Sequence, residues 1–270
     1  MSLFSVIITT YNWKEALALC LESLFAQEDL NFEIIIADDG SRPDTAELIE
    51  TYSQKSPIQI KHIYHEDKGF RAATIRNKAV LHCMGDYIIF LDGDCVVLPQ
   101  FIARHRKLAQ QHYFVPGNRV LLNASFTKIV ISTPLFIHKT TWRTWLAWRM
   151  QNKINRFLPL IYFPFHYMRL TRPYYWGGAM TCNLAVWKED FLAVNGFDNR
   201  FQGWGYEDSD LIVRLIHHGV KRKEGRFALP VFHLWHTQND RSQQESNYQL
   251  LMQRVNNSNF IRAEEGIFDL

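Results

Sequence analysis

An apolar run that ends in two carboxylates constrains the fold of this chain more than any other feature of its sequence. Residues 88–91 are Ile, Ile, Phe and Leu, and Asp92, Gly93 and Asp94 follow them directly. Such a run is typical of a strand buried in a parallel sheet, and the ligands of open α/β sheets bind at the carboxyl ends of strands. Two carboxylates there suit a hard divalent cation, because Mg²⁺ and Mn²⁺ prefer oxygen ligands and are commonly shared with substrate phosphates. Alone, however, an acidic triplet more often forms a solvated turn than a metal site.

The first hundred residues alternate between apolar strands and amphipathic helices. The strand patterns lie at residues 4–9, 32–37, 58–64 and 86–91. Helical spacing of apolar residues predicts helices over residues 13–25, 45–54 and 71–77, with Asn12 as the N-cap of the first. Four strands joined by helical crossovers predict an α/β fold with a mostly parallel central sheet flanked by helices. Neither a Gly-x-Gly-x-x-Gly pattern nor a P-loop lysine occurs, so the sequence does not indicate dinucleotide or ATP-type phosphate binding.

Regular patterns become sparse beyond residue 122. A predicted helix over residues 100–111 and a strand over 113–122 lead into an aromatic and basic segment, residues 123–175, which several prolines interrupt. Order returns with a strand that ends at Trp187, a helix from Glu207 to a Gly219 cap, and a strand over 226–232. The polar tail from residue 238 predicts a surface helix.

The charged residues are unevenly distributed, although the net charge is only +3. From residue 96 through residue 188 there are thirteen Lys or Arg and no Asp or Glu, so the remainder carries a net charge of −10. Lys and Arg interleaved with Trp and Tyr suit an anionic membrane surface, a phosphorylated acceptor or single-stranded nucleic acid. A solvated basic face is the simplest alternative. We expect the segment 123–175 to face a membrane or an acceptor.

The composition is that of a globular protein. Its 47% apolar residues can fill a core, and no run approaches the ~18 apolar residues of a membrane-spanning helix. The amino terminus lacks the pattern of a signal peptide, and the four cysteines form no Cys-x-x-Cys pair. We therefore expect a cytoplasmic protein with reduced cysteines.

A second acidic group follows a loop that contains Trp204 between two glycines. Glu207 and Asp208 stand at the head of a predicted helix, where acids interact favourably with the helix dipole and can simply cap it. A carboxylate in an apolar, Trp-lined loop would instead have a raised pKa and could act as a base. His233 and His236 follow the last predicted strand; such histidines are more often satisfied by backbone groups than by a metal.

Together, these motifs resemble those of two groups of enzymes. Residues 6–12 (VIITTYN), 37–41 (ADDGS), 76–79 (RNKA) and 90–94 (FLDGD) have the order and spacing of family 2 glycosyltransferases. Residues 175–210, from YWGG to GWGYEDSD, are similar to the carboxy-terminal region of β-1,4-galactosyltransferases. The resemblance implies a Rossmann-like GT-A fold with a C-terminal acceptor-binding portion, a nucleotide-sugar donor and inversion at the anomeric carbon.

The resemblance also implies roles for individual residues. Those that would bind the donor are Thr10, Asn12, Asp38, Asp39, Arg76, Asp92 and Gly178. Asp94 would bind Mn²⁺ or Mg²⁺ together with His236, or with His233 in its place. Asp208 would be the catalytic base, and the residues that would contact the acceptor or a sugar are Trp204, Tyr206 and Glu207. Tyr206 replaces a glycine of the pattern, so transfer of galactose is not assumed.

The function implied is that of a metal-dependent inverting glycosyltransferase. It would move a hexose or N-acetylhexosamine from a nucleotide sugar, with UDP expected, to a cell-surface glycan such as lipopolysaccharide core or capsule. The acceptor could be lipid-linked and the protein peripheral on the inner face of an anionic membrane. The alternative is a catalytically silent sugar-nucleotide-binding partner of another transferase. No nucleic-acid partner is expected, because the sequence contains no recognised RNA-binding module.

The expected organisation has four parts. Residues 1–122 would form the nucleotide-sugar-binding half, and residues 123–175 a basic aromatic insertion that faces the membrane or the acceptor. Residues 176–238 would form the catalytic and acceptor-binding half, followed by a C-terminal helical tail over residues 239–270.

Overall fold

The computed structural model of the chain describes residues 2–133, 135–164, 167–237 and 240–270. The strands in this part of the chain are β1 (Phe4–Thr10), β2 (Phe32–Asp38), β3 (Ile60–Tyr64), β4 (Tyr87–Asp92), β5 (Cys95–Val97), β6 (Tyr113–Pro116), β7 (Asn118–Leu121), β8 (Asn183–Trp187), β9 (Lys221–Arg222) and β10 (Pro230–His233). The α-helices are α1 (Lys14–Phe25), α2 (Pro43–Lys55), α3 (Ala72–Leu81), α4 (Phe101–Leu108), α5 (Ala124–Ser132), α6 (Trp142–Met150), α7 (Lys188–Ala193), α8 (Glu207–His217) and α9 (Gln244–Val255).

A seven-stranded sheet with the order β3-β2-β1-β4-β8-β6-β9 forms the centre of the molecule. Strands β1 to β4 are parallel to one another, whereas β8 runs antiparallel to both of its neighbours, β4 and β6. The mostly parallel sheet that the first hundred residues predict is therefore present, with an antiparallel strand inserted beyond β4.

Helices cover both faces of this sheet, which explains the unbroken apolar runs within β1, β2 and β4, at residues 6–8, 34–37 and 87–91. On one face, Ile8 and Ile36 belong to a core with residues of α1, α2 and α4. On the other face, Ile7 and Phe90 pack with residues of α3, α7 and α8. Strands buried on both faces lose the alternation of polar and apolar residues, as the sequence of residues 88–91 shows.

The parallel register brings the polar ends of three strands to one edge of the sheet. Thr9 pairs with Asp92 of β4, and Thr10 pairs with Asp38 of β2. A three-stranded sheet with the order β5-β10-β7 adjoins this edge. Its central strand pairs His233 with Cys95, and the backbone N–H of Leu234 donates to the Asp94 carbonyl at 3.0 Å. This second sheet therefore holds the end of β10 beside the Asp92–Asp94 turn.

Four expectations about local structure were wrong. The N-cap of α1 is Trp13; Asn12 instead takes a positive φ of 49°, and its side chain accepts a hydrogen bond from the Arg42 backbone. The single strand expected over residues 113–122 is two strands, β6 and β7, in different sheets. The last strand begins at Pro230 and not at residue 226. The tail helix α9 is not merely a surface helix, because Leu251 and Arg254 are buried against the rest of the fold.

The segment 123–175 contains helices α5 and α6 and short 3₁₀ turns at Leu158–Leu160 and Tyr167–Arg169. Phe165, one of its aromatic residues, and the boundary expected between residues 238 and 239 lie outside the described residues. Among the helices of the described ranges, none combines the length and the apolar character needed to cross a lipid bilayer.

Candidate functional site

A cleft of about 1500 Å³ opens at the polar edge of the central sheet. Its walls come from the ends of β1, β4 and β10, from the loop before α8 and from the loop that precedes β8. Twelve of the predicted site residues line it: Thr10, Asp39, Arg76, Asp92, Asp94, Gly178, Trp204, Tyr206, Glu207, Asp208, His233 and His236.

Two residues expected to bind the donor, Asn12 and Asp38, do not line the cleft. The carboxylate of Asp38 is buried, accepts a hydrogen bond from the Ser41 backbone at 2.8 Å and contacts His62 Nε2 at 2.9 Å. Successive side chains at the end of β2 point in opposite directions, so Asp39 faces the cleft while Asp38 faces the sheet interior. In the structure, Asn12 and Asp38 hydrogen-bond to the backbone of the loop after β2.

Asp39 is itself held by protein groups at the far end of the cleft. Its carboxylate lies 2.6 Å from His65 Nε2 and accepts a hydrogen bond from the Arg71 backbone at 2.9 Å. Burial raises the pKa of Asp39, although both of these contacts act in the opposite direction. The pair connects the end of β2 to the loop before α3, which also contributes Phe70 to the cleft wall.

Asp94 and two histidines converge at one point of the cleft. His233 Nε2 lies 3.6 Å from Asp94 Oδ1, and His236 Nε2 lies 3.4 Å from Asp94 Oδ2. Burial raises the pKa of the Asp94 carboxyl, whereas the two histidines act to lower it. Both candidate histidines are thus within reach of the carboxylate, and neither excludes the other.

The hydrogen bonds of the two histidines fit a cation at this point. His233 Nδ1 lies 2.9 Å from the Leu234 carbonyl, and His236 Nδ1 lies 2.7 Å from the Thr237 carbonyl. Because a carbonyl oxygen only accepts, each Nδ1 donates its hydrogen there, and Nε2 is the ring atom that faces Asp94. This leaves Nε2 as the nitrogen that could bind a cation together with the carboxylate. This arrangement, in which the second ring nitrogen binds a backbone carbonyl, is common among metal-binding histidines.

Cys95 is close to the same point but is a poor ligand for such an ion. Among the described residues, Asp94, Cys95 and His233 each place one possible ligand atom within 4.8 Å of the others. Burial raises the pKa of the Cys95 thiol well above its ordinary value, which disfavours the thiolate form. Hard divalent ions prefer oxygen and nitrogen to sulfur, so Asp94 and His233 are the better ligands of this group, and His236 faces the other oxygen of the Asp94 carboxylate.

Arg76 connects the Asp92–Asp94 turn to the acidic cluster at the start of α8. The guanidinium is buried and donates to Thr9 Oγ1 at 2.9 Å, to Asp92 at 3.2 Å and to Glu207 at 3.2 Å. Burial lowers the pKa of Arg76, but the surrounding carboxylates outweigh that effect and leave the pKa raised. One cation therefore neutralises parts of two motifs that lie more than a hundred residues apart in sequence.

Asp208 has the properties of a general base. Burial, followed by repulsion from Glu207, raises the pKa of Asp208 to about 7. Arg76 and a hydrogen bond from the Ser209 backbone at 2.7 Å limit that rise. A carboxylate whose pKa lies near neutrality can both hold and release a proton under physiological conditions.

The acids at the start of α8 divide between two environments. Glu207 and Asp208 line the cleft, whereas Asp210 is fully buried behind it. Asp210 accepts two hydrogen bonds from Arg214, at 2.9 and 2.7 Å, and also pairs with Arg254 of α9. Asp210 therefore has a structural role, because its ion pairs join α8 to α9.

Trp204 and Tyr206 form the wall beside Asp208. Trp204 lies between Gly203 and Gly205, both at positive φ, and the Arg241 guanidinium stacks 4.7 Å from its ring centroid. Tyr206 has a φ of 71°, a left-handed conformation that glycine adopts at no steric cost. The backbone thus keeps the conformation of the expected glycine, while the tyrosine ring packs 5.4 Å from the ring of Tyr248.

The cleft wall also contains residues that were not predicted from the sequence, among them Tyr11, Phe70, Arg119 and Arg241. Tyr11 follows β1 directly and donates to Asp67 at 2.8 Å, so its position after a strand was the available signal. Arg119 lies on β7, and Phe70 and Arg241 lie on loops. Their sequence positions do not indicate that the folded chain brings them to the cleft.

Comparison with protein families gives two adjacent matches. The family model for glycosyl transferase family 2 matches residues 5–159. A second model, described as the N-terminal domain of galactosyltransferase, matches residues 165–237. The two matches meet within the basic aromatic segment and divide the resembling motifs as the sequence indicated.

Two curated relatives span most of this chain. Validoxylamine A glucosyltransferase of Streptomyces hygroscopicus subsp. jinggangensis is 28% identical over 230 residues, which cover 81% of this chain and 52% of that protein. Chondroitin synthase of Escherichia coli is 33% identical over 245 residues, which cover 83% of this chain and 34% of that protein. The chain thus spans about half the length of the first relative and about a third of the second.

Solved structures share the fold at low sequence identity. The 1–349 segment of S. aureus TarS has a TM-score of 0.61 and 15% identity, over 94% of this chain and 66% of that chain. The mannosyltransferase PcManGT from Pyrobaculum calidifontis, solved with GDP-Man and Mn²⁺, has a TM-score of 0.58 and 15% identity. The match covers 86% of this chain and 56% of that chain. The mostly parallel sheet and these neighbours confirm the expected GT-A fold.

Proposed function

The chain belongs to glycosyl transferase family 2, and from that premise we propose that it is a metal-dependent inverting glycosyltransferase. Its donor is a nucleotide-linked hexose or N-acetylhexosamine, with UDP as the nucleotide. Its acceptor is a cell-surface glycan, such as lipopolysaccharide core or capsule. Relatives named as a glucosyltransferase and a chondroitin synthase support this class of donor and acceptor. A TarS structure solved with UDP-GlcNAc supports the nucleotide.

One observation carries the proposal. A single cleft contains Asp94 with its two histidines and also Asp208, and Arg76 bridges the acidic groups of both sides. Sugar transfer by inversion needs a base and a stabilised diphosphate leaving group on opposite sides of one anomeric carbon. A cleft of about 1500 Å³ is large enough for a nucleotide sugar and part of an acceptor together.

Asp208 removes the proton from the acceptor hydroxyl in the proposed reaction. The acceptor oxygen then forms a bond to the anomeric carbon while the bond from that carbon to the diphosphate oxygen breaks, which inverts the configuration. Burial and the neighbouring Glu207 keep the pKa of Asp208 near 7, so the carboxylate is basic enough to accept this proton. Arg76 holds Glu207 on one side and Asp92 on the other, and thereby fixes both relative to Asp208.

Asp94, His233 and His236 are the residues that would hold the cation. When bound, the ion neutralises the charge that develops on the departing diphosphate. One carboxylate and two imidazoles suit Mn²⁺ better than Mg²⁺, because Mg²⁺ keeps more strictly to oxygen ligands and water.

The acceptor side of the cleft is formed by the loop before α8. Trp204 offers an aromatic face for a sugar ring, and Glu207 offers a carboxylate oxygen for a sugar hydroxyl. Tyr206 occupies the position of a glycine in the related pattern and narrows this wall. The acceptor side of the cleft is therefore bordered by a tyrosine side chain at a position where the related pattern has glycine.

We further propose that the acceptor is lipid-linked and that the protein binds the anionic inner face of a membrane. The acid-free segment, with its interleaved Lys, Arg, Trp and Tyr residues, supports this location. Nucleic acid is not a proposed partner.

The test is a transfer assay combined with donor binding. Purified protein is screened against nucleotides and nucleotide sugars by thermal shift with Mn²⁺, because a ligand that binds only the folded state raises Tm. The best donor is then used to compare wild type with Asp208→Asn in transfer to extracted glycan acceptors. We expect the variant to bind the donor normally and to transfer at least a thousandfold more slowly.

A catalytically silent sugar-nucleotide-binding protein is the alternative from another functional class. It requires that the donor bind and that neither protein transfer sugar or hydrolyse the donor. Equal turnover by wild type and Asp208→Asn would refute the assignment of the base, because a contaminating enzyme or a different carboxylate would then be responsible.

A further inference from the structure

Helix α6 is fixed to the protein by one face only. Trp145 and Trp148 point inwards, and their ring centroids lie 6.3 and 6.2 Å from that of Phe232 in β10. Trp148 also packs 4.9 Å from Phe126 of α5. These contacts hold the helix against the second sheet and leave its opposite face outwards.

The outer face of α6 carries an apolar stripe. Trp142, Leu146 and Met150 are 52%, 39% and 78% exposed, although all three are large apolar side chains. Residues four apart lie on one side of a helix, so the three side chains form a single row. A contiguous row of exposed apolar side chains marks a site of interaction.

Basic residues flank this row on both sides. At 100° per residue, Arg143 lies about 20° beyond Met150 around the helix, and Arg149 about 20° before Trp142. Both arginines are exposed, and Lys139 and Lys153 stand just before and just after the helix. No Asp or Glu occurs anywhere from residue 96 to residue 187, so no acid of this segment neutralises them.

We propose that the outer face of α6 inserts into the headgroup region of an anionic membrane. This inference deepens the membrane attachment included in the proposed function, because it names the element and the face that make the contact. An apolar row with tryptophan at one end and arginines on both sides is the pattern of a helix that lies in the membrane interface. A protein partner would have to supply both an apolar groove and two acidic rims.

The position of α6 links this contact to the strand that ends at the candidate site. Its inner face touches Phe232 of β10, the residue before His233. Because successive side chains of a strand point to opposite faces, α6 packs on the face of β10 that is turned away from His233. Membrane binding through the outer face of α6 therefore fixes the orientation of the second sheet relative to the lipid surface.

Vesicle binding by the 270-residue chain tests the proposal. Vesicles of phosphatidylglycerol and phosphatidylcholine are compared with phosphatidylcholine alone by cosedimentation, with Trp142→Ser/Leu146→Ser/Met150→Ser as the stripe variant. A matched control, Leu30→Ser/Leu81→Ser/Met84→Ser, removes three side chains that are 51%, 53% and 57% exposed on other elements. We expect at least a tenfold weaker partitioning of the stripe variant onto anionic vesicles and no change for the control.

The electrostatic part has its own pair of variants. Arg143→Gln/Arg149→Gln should weaken partitioning onto anionic vesicles about 30-fold at low salt, whereas Lys55→Gln/Lys107→Gln, with the same net charge, should have little effect. Thermal melting verifies that each variant is folded. Equal vesicle binding by wild type and the stripe variant would overturn the proposal. A second result would also overturn it: wild type does not bind vesicles but self-associates, and the stripe variant loses this self-association. In that case α6 would be an interface between two copies of the chain.

These results are separable from those on the proposed reaction. The stripe variant should keep the full thermal shift with UDP and Mn²⁺, and Asp208→Asn should keep full vesicle binding. Loss of donor binding in wild type would refute the transferase without affecting the membrane result.

Discussion

Replacement of Asp208 by Asn should make the protein more stable and inactive, and the gain in stability should grow with pH. The pKa of Asp208 is raised from its ordinary value of 3.8 to about 7, mainly by burial. A raised acid pKa means that the unfolded chain loses the proton first. The ionised form therefore favours unfolding, and wild type loses stability as pH rises from about 4 to about 7. Asn carries no charge, so the variant does not lose stability in this way as pH rises.

The size of the effect follows from the shift in pKa. Each pKa unit corresponds to about 1.4 kcal/mol, so the full penalty is about 4 kcal/mol above pH 7. Between pH 5 and pH 8 the penalty grows by about 2–3 kcal/mol, and contact of the carboxylate with solvent reduces this value. For a chain of this size, that corresponds to roughly 4–10 °C in Tm.

Thermal or urea unfolding of both proteins at pH 5 and pH 8 measures the effect. Titrating groups that do not interact with Asp208 cancel from the comparison, so the difference measures Asp208 together with its partners Glu207 and Arg76. The expected result is a stability difference in favour of Asp208→Asn that is larger at pH 8. An equal difference at the two pH values would refute a raised pKa for Asp208 and, with it, the physical basis for its role as a base.

Three further predictions concern the groups around Asp208. Asp210→Asn should destabilise the fold by about 3–5 kcal/mol in urea, because it leaves the buried Arg214 without its carboxylate partner and Arg254 without one of its partners; a loss under 1 kcal/mol would contradict this. Arg76→Lys should keep the charge but lose the bridge between Asp92 and Glu207, and we expect kcat/KM to fall at least a hundredfold with little change in donor affinity. Asp94→Asn, His233→Ala and His236→Ala should each weaken Mn²⁺ binding at least tenfold by titration calorimetry; if one histidine variant binds normally, the other histidine alone is the ligand.

The sequence predicted the sheet well where burial leaves a strong local pattern. Strands β1, β2 and β4 are buried on both faces, so each contains an apolar run that is followed by polar residues. Their parallel register then brings those polar ends to one edge without any further information. The strand expected over residues 113–122 was wrong because Gly117 divides it. A Cβ on Gly117 would lie 2.1 Å from the Asn183 side chain, and such a contact is invisible before the tertiary fold is known.

The candidate site was predicted by resemblance more than by local chemistry. Asp38 and Asp39 are adjacent residues of the same type, so the sequence does not show which of them reaches the cleft. The alternation of side-chain directions at the end of β2 decides this. Arg76 was expected to face the donor, whereas its contacts with Asp92 and Glu207 depend on two chain segments that meet only in the folded protein. The choice between His233 and His236 also stays open, because both reach Asp94 at similar distances.

A crystal structure with Mn²⁺ and UDP tests the central claim most directly. Anomalous diffraction locates the manganese independently of any assumption about its ligands. The account predicts one anomalous peak in contact with Asp94, at least one of the two histidines and the diphosphate of UDP, with Asp208 facing the same cavity. A peak elsewhere, or UDP bound outside the cleft that contains Asp94 and Asp208, would contradict it.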